Sequence, residues 1–159
     1  MNGLRGVIAY TVKKLRESGL YRRTFVQKIL YFALPNEMRN ELFVPYLYGP
    51  YSAGIQRVVQ YLEDNPSYIL IWEKEMDDAK IKEAIDKLIR FINDEKITTT
   101  HLSQLAKVHF LLTNTKGDIE RVKRKSISLG WDELIRKDGL IEYRLQELRT
   151  LQKEIRDLS

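Results

Sequence analysis

From Arg22 to Leu34 the chain reads RRTFVQKILYFAL and stops at Pro35. Phe25, Ile29 and Phe32 fall on one side of a helix, with Val26, Leu30 and Ala33 beside them. Pro35 forbids another regular turn. A helix that is apolar over so wide an arc has to bury itself against more than one neighbour. Whatever fold the chain adopts must therefore wrap this segment, and the helix is expected at the centre of the core.

The rest of the chain can supply that wrapping. With 159 residues, 43% of them hydrophobic and 31% charged, it has the make-up of a globular domain with a single core. It contains no Cys, so disulfides, thiolate metal sites and cysteine nucleophiles are excluded. No apolar run approaches the ~20 residues a membrane-spanning helix needs. Met1 to Tyr10 lacks a signal-peptide profile because Arg5 interrupts it. A cytoplasmic location is expected, without membrane attachment.

Helical spacing of Leu4, Val7, Ile8, Val12 and Leu15, followed by Gly19-Leu20, predicts a first helix over 3–17. Beyond the central helix, Leu42 to Tyr48 is rich in strand formers, and Pro45 confines it to an edge. Gly49-Pro50 is expected to turn the chain into a helix over 52–62, capped by Ser52. Tyr68-Ile69-Leu70-Ile71-Trp72 reads as a second strand. Further helical patterns start at Asp77 or Asp78, at Thr98 to Thr100 and at Asp118, and a long last helix carries Ile141, Leu145, Leu148, Leu151, Ile155 and Leu158. The expected fold is mainly α, a single compact domain over 1–159 with about six to seven helices and two short strands. Its 1–75 half is winged-helix-like; its 76–159 half is helical and ends in the long helix. The Ile141, Leu148 and Ile155 spacing also offers a homodimer through that helix, against packing on the domain's own core.

Signs of catalysis are sparse. Neither a G-x-G-x-x-G turn, a phosphate-binding Gly-rich loop nor an H-E-x-x-H pair is present. His101 and His109 stand eight residues apart, about 12 Å along a helix, too far to share a metal. No G-x-S-x-G turn presents a serine, and no cofactor or metal is expected. A hydrolase-like site around His109 is the weakest of the readings.

Charge is distributed unevenly. Residues 1–30 hold seven Lys or Arg against Glu17 alone, residues 62–97 carry six basic and ten acidic groups, and residues 98–159 carry twelve and nine. Two basic segments around an acidic one are able to neutralise phosphates or meet an acidic partner. On the helix over 52–62, Gln56, Arg57 and Gln60 lie away from the apolar face, and such side chains pair with purine edges. With Arg22, Arg23, Arg121, Lys123, Arg124 and Lys125 on phosphates, they compose a winged-helix nucleic-acid reading. A connection of roughly 17 residues counts against it, since the helix-turn-helix uses 3–4.

Val26-Gln27-Lys28-Ile29-Leu30-Tyr31-Phe32, followed by Tyr48-Gly49-Pro50-Tyr51-Ser52, resembles the Panacea domain family of antitoxin and proteolytic-adaptor-like proteins. The Y-G-P-Y-S form is similar to a related group of uncharacterised archaeal and bacterial winged-helix-like proteins. Leu88 to Leu112 is similar to the later helices of that family. The resemblance implies a mainly α, non-catalytic module that binds a protein partner, a toxin or a protease. The surface expected for it is Tyr46, Tyr48 and Tyr51, because tyrosines give large contact area at small entropic cost. The same motif also has an architectural reading, in which Tyr31 and Phe32 pack on the 46–48 strand and Gly49-Pro50 sets the angle of the next helix.

Overall fold

The computed structural model describes residues 2–155. Among these, ten helices and one two-stranded antiparallel sheet make a mainly α domain. The order is α1 (Asn2–Glu17), α2 (Arg23–Ala33), α3 (Asn36–Leu42), β1 (Val44–Tyr46), β2 (Gly49–Tyr51), α4 (Ala53–Asp64), α5 (Ser67–Glu73), α6 (Ala79–Asp94), α7 (Thr99–Thr115), α8 (Ile119–Ser128), α9 (Glu133–Arg136) and α10 (Leu140–Glu154). Three short helices, α3, α5 and α9, raise the number above the six to seven expected.

The central helix is α2. Every residue from Phe25 to Ala33 is buried, and α1, α4, α6, α7 and β2 all pack on it. Burying side chains such as Ile29, Leu30 and Phe32 contributes roughly 1.5–3 kcal/mol each. Its C-terminal carbonyls would be orphaned inside the protein. Arg39 of α3 satisfies them, donating from Nε to the Tyr31 carbonyl at 2.6 Å and from Nη2 to those of Phe32 and Leu34 at 3.2 and 3.0 Å. With Met38 and Leu42 packed against the core on the same short helix, Arg39 anchors the otherwise polar segment NEMRNEL. A buried arginine on the negative end of the α2 dipole ties it in place.

Helix signals mark their elements closely. Gly19 at φ +70 ends α1, with the Leu20 N–H reaching back to Leu15 at 2.8 Å and Gly19 to Arg16 at 3.1 Å. Ser52, Asp78, Thr98 and Asp118 each cap the helix that follows with a side-chain oxygen.

Two expectations require correction. The chain turns at Leu47-Tyr48, not at Gly49-Pro50: Gly49–Tyr51 is itself a strand, pairing Val44 with Tyr51, Pro45 with Pro50 and Tyr46 with Gly49. Second, Ser67–Glu73 is helix α5 rather than a strand, so no wing follows α4; the hairpin precedes it. Pro66, at φ −61 and ψ −23, pre-sets the helical turn. Packing against α1 then overrides the β propensity of the segment. Gly6 permits that approach, since a Cβ there would sit 3.0 Å from the Trp72 carbonyl oxygen. Arg5–Glu75 and Lys13–Glu73 ion pairs at 2.7 and 3.2 Å flank the contact. Of the two readings of the last helix, packing on the domain's own core is the one seen: α10 buries Ile141, Leu148 and Leu151, with α7 as its main neighbour. Leu158 lies outside the described residues.

Candidate functional site

The polar residues Gln27 and Lys28 interrupt the most apolar helix of the chain, and both are buried beneath the hairpin. The Gln27 amide brackets the Ser52 backbone, donating to its carbonyl and accepting from its N–H, each at 2.9 Å. Lys28 Nζ donates to the Pro50 carbonyl at 2.8 Å. A proline pair can only stand where the ladder needs no N–H, with its carbonyls turned outward, so Pro50 presents that oxygen to Lys28. Gly49, at φ +107, passes close over two lysines: a Cβ would meet Lys107 Cγ at 3.2 Å and Lys28 Cε at 3.6 Å. On the other strand, the Tyr46 carbonyl accepts from Trp131 Nε1 at 2.7 Å.

These contacts separate a structural set of residues from an exposed one. Gln27, Lys28, Gly49, Pro50 and Ser52 are structural, binding hairpin, central helix and α4 into one piece. Tyr46 and Tyr48 are 58% and 71% exposed, and Val44 and Leu47 beside them are 56% and 68% exposed. Tyr51 is half-buried and packs on Tyr46 with ring centroids 5.4 Å apart. The hairpin is therefore a fixed backbone with an apolar, aromatic outer face. Val44 and Leu47 were missed by sequence reasoning that sought tyrosines.

Beneath the hairpin the electrostatics are unusual. Burial, with Lys107 adding to it, pulls the Lys28 ammonium down to about 8. Lys107 pairs with Glu133 and lies over the Trp131 ring at 5.7 Å. Tyr31 OH and His109 Nδ1 are 2.7 Å apart in the core, and burial raises the Tyr31 phenol above its ordinary range. His109 is 2% exposed and edge-on to Phe32, on α7 facing α2, while His101 faces Glu147 and Arg144 of α10. The two histidines thus belong to different faces of α7.

Of the residues considered for nucleic acid, Arg23 and Gln60 have partners within the chain. Arg23 is paired with Glu63 and donates to the Gln60 amide oxygen at 2.8 Å; Gln60 in turn donates to Asp64 at 3.2 Å. The Arg23 guanidinium holds the Glu63 carboxyl at about 2. Two candidate contact groups are thereby engaged with each other and with carboxylates. Arg22 and Arg57 are exposed and Gln56 is half-buried. Arg121, Arg124 and Lys125 are exposed and Lys123 half-buried on α8, which packs on α7 and α9. Lys123 lies 3.9 Å from Glu142. No family model, curated protein or solved structure matches the chain.

Proposed function

We propose that the chain is a non-catalytic regulatory module that holds a protein partner, of the antitoxin or adaptor kind, on the outer face of its hairpin. The observation that carries this reading is the exposure of Val44, Tyr46, Leu47 and Tyr48 on a backbone clamped by Gln27, Lys28 and Trp131. Apolar side chains in a cluster mark interaction surfaces, and a rigid support removes the ordering cost of binding. Pro45 leaves the outer edge of β1 without the N–H that strand addition would use. Recognition then falls to side chains, with Leu47 and Tyr48 entering an apolar recess of the partner.

A photo-crosslinking amino acid placed at position 48, with Tyr143 of α10 (59% exposed) as the control position, tests the reading in the native cell. One protein adduct at position 48, absent at 143, is expected. The captured protein, once purified, should bind a Tyr46→Ser/Tyr48→Ser variant at least about tenfold more weakly, the scale of one lost aromatic anchor. Equal adducts at both positions, or adducts to nucleic acid alone, would remove the proposal.

A further inference from the structure

Helix α8 holds the densest run of positive charge in the chain, Arg121, Lys123, Arg124 and Lys125, against one carboxylate of its own, Glu120. Val122 and Ser126 are fully buried and seat the helix on α7, with the Ser126 hydroxyl donating to the Val122 carbonyl at 2.7 Å. Arg121, Arg124 and Lys125, spaced i, i+3 and i+4, fall on the opposite side and are exposed. The sequence thus turns three cations of one helical turn straight to solvent.

Their pairing sets them apart. Elsewhere cations meet carboxylates one turn away on their own helix, at Lys13–Glu17, Lys87–Glu83 and Arg136–Asp132, or across elements, at Arg5–Glu75 and Arg23–Glu63. Among the described residues, the one ion pair of α8 is Lys123–Glu142 at 3.9 Å, and Arg121, Arg124 and Lys125 have no carboxylate at ion-pair distance. Like charges at i, i+3 and i+4 destabilise a helix. The arrangement works against the element that carries it, so its use lies outside the chain.

We propose that this face of α8 binds the phosphodiester backbone of a nucleic acid duplex, independently of base sequence. A strand repeats one negative charge at a fixed interval, which a row of cations meets with the same chemistry at each point. Arg121 and Arg124 offer planar donor forks to phosphate oxygens and Lys125 a point charge. Contacts of this kind position a protein on the duplex without reading bases. Ile127, 56% exposed, is the one large apolar side chain that α8 exposes. That is too little for a lipid surface or a protein hot spot, both of which draw their strength from buried apolar area. The proposal goes beyond the hairpin reading and does not depend on it. Trp131 links the two faces in one support: its N–H reaches the Ser126 carbonyl at 2.8 Å at the end of α8, and its Nε1 clamps Tyr46.

The test titrates short fluorescent duplexes of DNA and of RNA, each in two unrelated sequences, with the whole chain and follows anisotropy from low salt upward. Three phosphate contacts on B-form DNA correspond to a slope of about −2.7 in log K against log salt, so a fourfold rise in salt should weaken binding by about fortyfold. Arg121→Gln/Arg124→Gln/Lys125→Gln should bind at least about tenfold more weakly with a flattened slope. Arg22→Gln/Arg57→Gln/Lys74→Gln removes the same charge from exposed positions elsewhere and should stay within about threefold of the parent. The melting temperature of the α8 variant should not fall, because Gln keeps the helix propensity and relieves the repulsion. Whichever duplex binds more tightly identifies the source of the backbone. No binding at low salt, equal losses in the two variants, a preference of more than about tenfold between sequences, or equal binding of phosphatidylserine vesicles or polyglutamate through the same three residues overturns the assignment. Loss of duplex binding with the adduct at position 48 retained is the result expected of the α8 variant. If the duplexes fail in the parent chain while that adduct forms, only the α8 assignment falls; if the adduct fails while α8 binds duplex, only the hairpin reading falls.

Discussion

Lys28 is where a single side chain most clearly sets a property of the protein. Its ammonium titrates at about 8 against an ordinary 10.5, chiefly because it is buried and secondarily because Lys107 is near. The folded value lies below the unfolded one, so between about pH 8 and 10 the unfolded chain binds more protons and stability rises with pH. Below about pH 8 both states are protonated and the full cost of the buried charge is present. The gain from pH 7 to 10 amounts to ~2 kcal/mol. Urea denaturation at a series of pH values should show this rise, and Lys28→Met should flatten it; an undiminished slope in the variant would assign it elsewhere. Gly49 makes the complementary case for packing. Alanine there meets both a left-handed backbone and Lys107, while Gly130, at φ +76, has nothing within 4 Å of a Cβ. Gly49→Ala should destabilise by about 1–3 kcal/mol and exceed Gly130→Ala in the same urea assay, the excess reporting the contact with lysine.

At the scale of elements, the clearest difference between sequence and structure is α5. Tyr-Ile-Leu-Ile-Trp is a short run rich in β-branched and aromatic residues, and its periodicity cannot separate a strand from a turn and a half of helix. What decides is Pro66 at the start and the glycine-permitted approach of α1, and the second of these is a contact between residues about 66 positions apart, Gly6 and Trp72. In a strand Ile69 and Ile71 would share a face; in α5 Ile69 is 6% exposed and Ile71 53%. Ile69→Ala should therefore cost about 2–5 kcal/mol and Ile71→Ala no more than about 0.5 kcal/mol. Similar losses at both positions in thermal denaturation would restore the strand. The long helices were legible for the opposite reason: α1, α6 and α7 carry sustained helical periodicity and a capping signal of their own.

For the whole molecule, the stage on which the site is built was readable and the site itself was not. The sequence points to α2 as the centre, and to the region after Phe43 as extended, from local pattern alone. The clamp beneath the hairpin joins Gln27 to Ser52, Lys28 to Pro50 and Trp131 to Tyr46, and no local pattern announces partners 22 to 85 residues apart. The one available sign was chemical: Gln27 and Lys28 sit within an otherwise apolar buried face, and groups of that kind need partners. The same distinction between local pattern and tertiary use governs α10. Its heptad-like stripe also offers a seam for a second copy, yet Leu148 is 1% exposed within one continuous core. Stability that comes from packing within one chain does not depend on protein concentration, whereas stability from a dimer seam does. Leu148→Ala should lower stability by about 2–5 kcal/mol, and the unfolding midpoint of both forms should stay fixed over a hundredfold range of concentration. A midpoint that climbs with concentration in the parent chain, and ceases to climb in Leu148→Ala, would show that α10 serves a second molecule after all.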